Sequence, residues 1–203
     1  MSIRFCDEFD HGFGWQAADE FLQRTSHAVL ADGRVWITDP IDAEGIDERI
    51  NALGEPAGIV QLVDRHPRDC EAVARRLGVH LHVTPLYGVA GAPFEALVVS
   101  RLPFWREVAL YFSAERVLVC GDALGSLPYF RAGTERFGVH PLLRLTPPRR
   151  AFGGLEPEHL LFGHGEGVHG AQAGPALHEA LATARRRLPQ TLLGSLRRAT
   201  RKR

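Results

Sequence analysis

Three stretches of the chain place histidine or carboxylate directly after an apolar run: IVQLVDRHPRDC (59–70), RVLVCGDALGS (116–126) and HLLFGHGEG (159–167). A short apolar run of this kind reads as a buried strand. Asp64, His66, Arg68 and Asp69, then Asp122, then His164 would therefore be delivered to strand ends. Histidine and ionised carboxylate carry lone pairs that can hold a cation or accept a hydrogen bond; arginine keeps its proton and has none to offer. Each residue also has a structural reading. Asp69 precedes a helical pattern and can be its N-cap. Asp122 can cap a turn, and His66 can be a plain turn residue. His164 stands between Gly163 and Gly165, which permit close backbone approach, and a pocket role is the stronger reading there. His140 and His169 fall in loops that could edge the same cleft.

Positioning these residues requires strands and helices in alternation, and the pattern supplies them. HAVLADGRVWIT (27–38) has two apolar runs around Asp32-Gly33, a strong hairpin signal because both turn positions need positive φ. Residues 44–53 and 69–77 read as short helices, each followed by a glycine suited to end it. Strands are expected at 59–63, 79–83, 95–100, 107–112, 116–120 and 159–163, with 107–112 and 116–120 joined as a hairpin. The ends at Val63, Cys120 and Phe162 should converge on one edge. Residues 125–154 read as a long loop with one helix at most, functional or packed on itself. Residues 176–188 form an amphipathic helix that Pro189 should end.

The bulk numbers bound the class. The chain has 203 residues, 45% hydrophobic, with 24 basic and 24 acidic residues. One domain over 1–190 is the economical reading. Zero net charge provides no global field toward nucleic acid or membrane. No apolar run reaches the length of a membrane span, and MSIRFCDEFDHGFGW lacks the apolar core of a signal peptide. Three cysteines without metal-type spacing fit a reducing, cytoplasmic setting better than a disulfide framework. Residues 191–203 form a basic tail. It lacks interleaved aromatics, so a solvated end is favoured over a nucleic-acid site.

The order and spacing of the three motif segments resemble the metallo-β-lactamase superfamily over roughly residues 27–190. That family has a strand followed by His-x-His-x-Asp-His, then a Gly-His-Thr-Pro-Gly turn, then Gly-Asp, then a late Gly-His. The resemblance implies an α/β protein, an αββα sandwich of two mixed β-sheets with outer helices. Residue by residue, it sets Asp64 at the first histidine and His66 at the second. Arg68 falls at the aspartate for the second metal, and Asp69 at the last histidine of that motif. In SRLPF (100–104), Arg101 falls at the histidine of the Gly-His-Thr-Pro-Gly turn, with Pro103 kept. Asp122 matches the bridging aspartate and His164 the final histidine. Three of the seven ligand positions thus keep the family's residue, and two carry arginine.

The favoured expectation is a degenerate metal centre. It is non-catalytic, or it binds an anionic small molecule in a pocket of Asp64, His66, Arg68, Asp69, Arg101, Asp122 and His164, with no cofactor. Where a cation is lost, an arginine can neutralise the carboxylates it leaves behind. Arg68 or Arg101 should then contact Asp64, Asp69 or Asp122. The first alternative is a mononuclear metal-dependent hydrolase, with zinc or another divalent metal on His66, Asp122 and His164. The second is a nucleic-acid-associated protein using the basic tail. Neither the substrate nor the oligomeric state is legible.

Overall fold

The computed structural model describes the backbone of residues 2–200 and the side chains of residues 2–191. Six strands form the first sheet in sequence order: β1 (Ile3–Phe9), β2 (Gly12–Ala17), β3 (Thr25–Ala31), β4 (Arg34–Thr38), β5 (Glu55–Gln61) and β6 (His80–Val83). The first four are antiparallel; β4, β5 and β6 run parallel. Parallel neighbours need crossovers, and two helices provide them: α1 (Ile46–Leu53) and α2 (Cys70–Leu77).

The second sheet is built from β7 (Glu95–Leu102), β8 (Trp105–Phe112), β9 (Val117–Cys120), β12 (His159–Phe162) and β13 (Val168–His169), in the order β13-β12-β9-β8-β7. Only β9 and β12 are parallel, so both sheets are mixed. Between β9 and β12 lie a small pair, β10 (Leu124–Gly125) and β11 (Gly138–Val139), a 3-10 turn at Pro141–Leu143, and α3 (Arg149–Phe152). The last element is α4 (Ala173–Thr200).

Period-two alternation divides the first sheet's side chains between two cores. Val29, Trp36 and Val60 join the cluster containing Val108, Leu110, Val119 and Leu160 of the second sheet. Their neighbours Ala28, Ile37 and Ile59 pack with Ile46 and Ile50 of α1 and Val73 of α2. Leu177, Leu181 and Ala184 of α4 belong to the first cluster. The result is an αββα sandwich.

Both expected hairpins form, β3–β4 around Asp32 (φ 49°) and Gly33 (φ 74°), and β8–β9. Gly78 ends α2 at φ 68° with its N–H on the Ala74 and Arg75 carbonyls. The stretch 125–154 is, as expected, mostly loop packed on the fold, with one short α-helix, α3. Two features differ from the sequence reading. The N-terminal segment is a hairpin, β1–β2, whose aromatic and acidic composition hid its alternation. Pro189 lies inside α4 rather than at its end. A proline removes one N–H and clashes with the preceding turn, yet here the helix continues through it. The Thr191 hydroxyl donates to the Arg187 carbonyl in the same turn (3.1 Å). The side chains of the basic tail from position 192 onward lie outside the described residues.

Candidate functional site

Three strand ends converge as their sequence suggested. The Gly163 N–H donates to the carbonyls of Cys120 (2.8 Å) and Gly121 (3.2 Å), and the Asp64 N–H to the Arg106 carbonyl (3.0 Å). The approach is so close that a Cβ on Gly121 would lie 2.4 Å from Val63 Cγ2, and one on Gly163 would lie 2.8 Å from the Gly121 carbonyl oxygen. Glycine is required at both positions for steric reasons, and each leads directly into a site residue, Asp122 or His164.

The ligand atoms of His66, Asp122 and His164 all lie within 4.8 Å of one another. His164 Nε2 is 3.0 Å from Asp122 Oδ1, and His66 Nε2 is 3.4 Å from Asp122 Oδ2. The two imidazoles meet edge to face, centroids 5.6 Å apart. They open into a cavity of about 180 Å³, walled by Leu22, Tyr129, Phe130 and His140. Phe130 stacks on His164, and Trp105 packs edge-on against His140.

Hydrogen bonding fixes two tautomers. His164 Nδ1 is 2.8 Å from the Leu22 carbonyl, which can only accept, so Nδ1 carries the proton. The neutral ring then turns a bare Nε2 lone pair onto a carboxylate oxygen. Two acceptors 3.0 Å apart call for a cation or a proton between them. His140 Nδ1 accepts from the Leu142 N–H (3.2 Å). The neutral His140 therefore presents Nε2–H to the cavity, beside the Tyr129 hydroxyl at 3.5 Å.

Burial dominates the electrostatics. It pushes His66 down to about 4, a lowering that Asp122 only partly offsets. Burial likewise takes His140 down to about 4. Both rings are neutral at pH 7. Burial alone would raise the Asp122 carboxyl; its contacts with His164 and His66 and the Arg65 guanidinium together outweigh it and hold Asp122 well below the usual carboxylate range. Beneath the site, burial and then Asp122 raise Glu107 to about 8, although it accepts from the Ala123 N–H and Trp105 Nε1.

The other four candidates lie elsewhere. Asp64 turns to Arg106 Nε at 3.1 Å. Asp69 stands at the N-cap of α2, but its carboxylate accepts from the Asp42 N–H (2.8 Å) rather than from the helix. Arg101 is exposed on β7, over the Tyr87 ring. Arg68 donates to the backbone carbonyls of Thr25 (2.6 Å), Asp39 (2.9 Å) and Gly163 (3.0 Å). Neither Arg68 nor Arg101 makes a hydrogen bond or ion pair with Asp64, Asp69 or Asp122, contrary to the expected arginine–carboxylate cluster. The arginine that meets Asp122 is Arg65, at 2.9 Å from Oδ2 and stacked on Trp105. Strand alternation would set 64, 66 and 68 on one face. The chain leaves the strand at Val63 and coils, with Arg68 at φ 42°, so Arg65 and His66 face Asp122 instead. His169 belongs to a different cluster, with Asp7 and His159.

Cations of the kind used by metal-dependent hydrolases need about three N, O or S ligands and an open position. A second cation has no ligand set here: Asp64 and Asp69 turn to Arg106 and the Asp42 N–H, Arg101 is exposed, and Arg68 donates to backbone carbonyls. One cation fits, since His66, Asp122 and His164 offer two imidazoles and a carboxylate, and the His164 lone pair has no proton donor facing it.

No family model and no curated protein matches the chain by sequence. Solved structures do match by fold. A structure of the DIM-1 metallo-β-lactamase aligns over 91% of this chain and 99% of its own, at TM-score 0.55 and 12% identity. TMB-1 aligns over the same shares at TM-score 0.55 and 11% identity. DIM-1 exposed to ceftazidime aligns at TM-score 0.51 and 13% identity, over 91% and 98%. At such identities the likeness speaks for architecture, and the architecture is clear: this chain is a metallo-β-lactamase-fold protein.

Proposed function

We propose that the protein is a single-metal hydrolase in which His66, Asp122 and His164 hold one divalent cation, zinc being the ion best suited to two imidazoles and a carboxylate. One observation carries the reading: the Leu22 carbonyl fixes the His164 tautomer so that Nε2 offers a lone pair toward the Asp122 carboxylate. A bound cation there would supply Lewis acidity. The chain's own residues supply the rest. Leu22 orients His164, and Arg65 orients Asp122 from the solvent side. His140 offers a neutral Nε2–H donor across the cavity, suited to a substrate oxygen. Leu22, Tyr129 and Phe130 keep bulk water off the reacting atoms. At about 180 Å³ the cavity admits an ion and the reacting end of a substrate, not a whole drug-sized molecule.

Protein purified without a metal-affinity tag should carry about one equivalent of zinc or a related metal by elemental analysis. Chelator should lower its melting temperature, and metal should be lost in His66→Ala and His164→Ala. A metal-dependent esterase or phosphodiesterase activity on chromogenic substrates should vanish in Asp122→Asn. A second reading has its own support. Arg65 already neutralises Asp122, which suits a metal-free pocket for an anionic small molecule. Metal content at trace level, with no zinc-dependent rise in melting temperature, would defeat the first reading in favour of the second.

A further inference from the structure

The stretch 126–137 has one wall toward the cation cavity, through Tyr129 and Phe130, and another toward a larger cleft of about 510 Å³ on the far side of the 163–167 turn. That volume is in the range of small-molecule sites. Arg131 and Arg136 line it together with Gln23, Ser126 and Gln172. Both arginines are exposed, and among the described residues neither has an acceptor for its guanidinium. Many of the chain's arginines are engaged by carboxylates or carbonyls, as Arg65, Arg68, Arg76, Arg116 and Arg149 illustrate. The acidic residue lining the cleft, Glu166, is paired with Arg4.

The stretch that bears these two arginines is rigidly clamped. Glu135, immediately before Arg136, is buried and accepts from Arg144 (2.6 Å), from the Ala132 N–H (2.6 Å) and from Arg187 (3.1 Å). Arg144, wholly buried, also donates to the Phe130 carbonyl at 2.6 Å, one residue before Arg131. A buried ion pair is a weak source of net stability, because desolvation offsets its attraction. It does fix backbone geometry. Here it fixes the backbone that carries two unsatisfied cationic forks to one cleft, so that the side chains rather than the chain path remain to be ordered on binding.

We infer that this cleft binds a multiply charged oxyanion, the phosphate group of a phosphorylated small molecule, on Arg131 and Arg136. Guanidinium stays charged at any working pH, and its planar fork matches phosphate oxygens bidentately. The inference is independent of whether a cation occupies the His66–Asp122–His164 group.

The test uses full-length protein treated with chelator, so that an anion on a bound metal does not count. Pyrophosphate is titrated by calorimetry at ionic strength held constant with sodium chloride. Saturable binding is expected, weakened about tenfold or more in an Arg131→Gln/Arg136→Gln double variant, which corresponds to about 1.4 kcal/mol or more. Both residues are exposed and unpaired, so the variant keeps its fold, and an unchanged melting temperature in chloride verifies this. Affinity should be unchanged in His164→Ala. The inference is overturned by absence of saturable binding, by equal affinity in the double variant, or by loss in His164→Ala alone, which would put the anion at the cation site.

Discussion

Arg68 shows how a buried guanidinium can be matched without a carboxylate directly against it. Its three carbonyl acceptors come from Thr25 and Asp39 in the first half of the fold and Gly163 at the end of β12. The Asp39 carboxyl, raised to about 6 by burial, is held down in part by Arg68 and by the Leu62 N–H. Arg68 thus acts as a cross-brace under the site. Arg68→Met should destabilise by about 3 kcal/mol, since several buried acceptors lose a charged donor at once. Arg101→Met, exposed on β7, should change stability by less than about 0.5 kcal/mol. Urea unfolding of the two variants measures both. Equal small losses would mean that Arg68 is not a brace. The resemblance set Arg68 and Arg101 as the arginines to meet a carboxylate of the site, whereas Arg65 is the one that meets Asp122. That depended on the coil after Val63, and alternation carries no information once a strand has ended.

At the level of elements, β9 and β12 act as a pair of rails. They run parallel in register from His159↔Val117 to Phe162↔Cys120, and each hands over to a glycine before its site residue. Gly163→Ala would push a methyl against the Gly121 backbone, which cannot yield like a side chain. Expected are a stability loss of about 1–3 kcal/mol and weaker zinc binding than in the parent, from displacement of His164. Retention of both values would show that the rails can part without cost. Much at this level was legible in the sequence, because the signals are local. Asp32-Gly33 forces its hairpin, Gly78 its helix end, and the apolar runs their strands. The β1–β2 hairpin was not legible. Its outer strand, β1, lies at the sheet edge, β2 is buried throughout and so shows no alternation, and the register breaks between Cys6 and Phe9, where Asp7 takes φ 52°. Nor was the length of α4, since the rule that proline stops a helix is overridden beyond Pro189.

For the molecule as a whole, what matters is how two sheets are held in one register at the edge that carries the site. The apolar core between them is non-directional. Directional ties come from buried polar groups spanning both sheets, and Arg68 is one. Asp7 is the other. From β1 of the first sheet it accepts from the Gly167 N–H (2.7 Å) and lies 3.3 Å from His169 of β13, while its second oxygen lies 3.3 Å from His27 of β3. No local pattern announces such a tie, because its partners are 20 and 160 or more residues away in sequence. Burial would raise the Asp7 carboxyl, but the hydrogen bonds with His169 and His27 and from Gly167 outweigh it and hold it well below the usual carboxylate range. The sign follows from linkage. A carboxyl with a depressed folded pKa contributes stability that is fully present above its unfolded value, about 3.9, and is lost as pH falls toward the folded value. Between about pH 4 and pH 2, wild-type stability should therefore fall with pH more steeply than that of Asp7→Asn, by up to about 1.4 kcal/mol per pH unit for this one proton. Denaturant unfolding of both proteins across that window measures the two slopes. Parallel slopes would mean that Asp7 is not the ionised tie between the sheets.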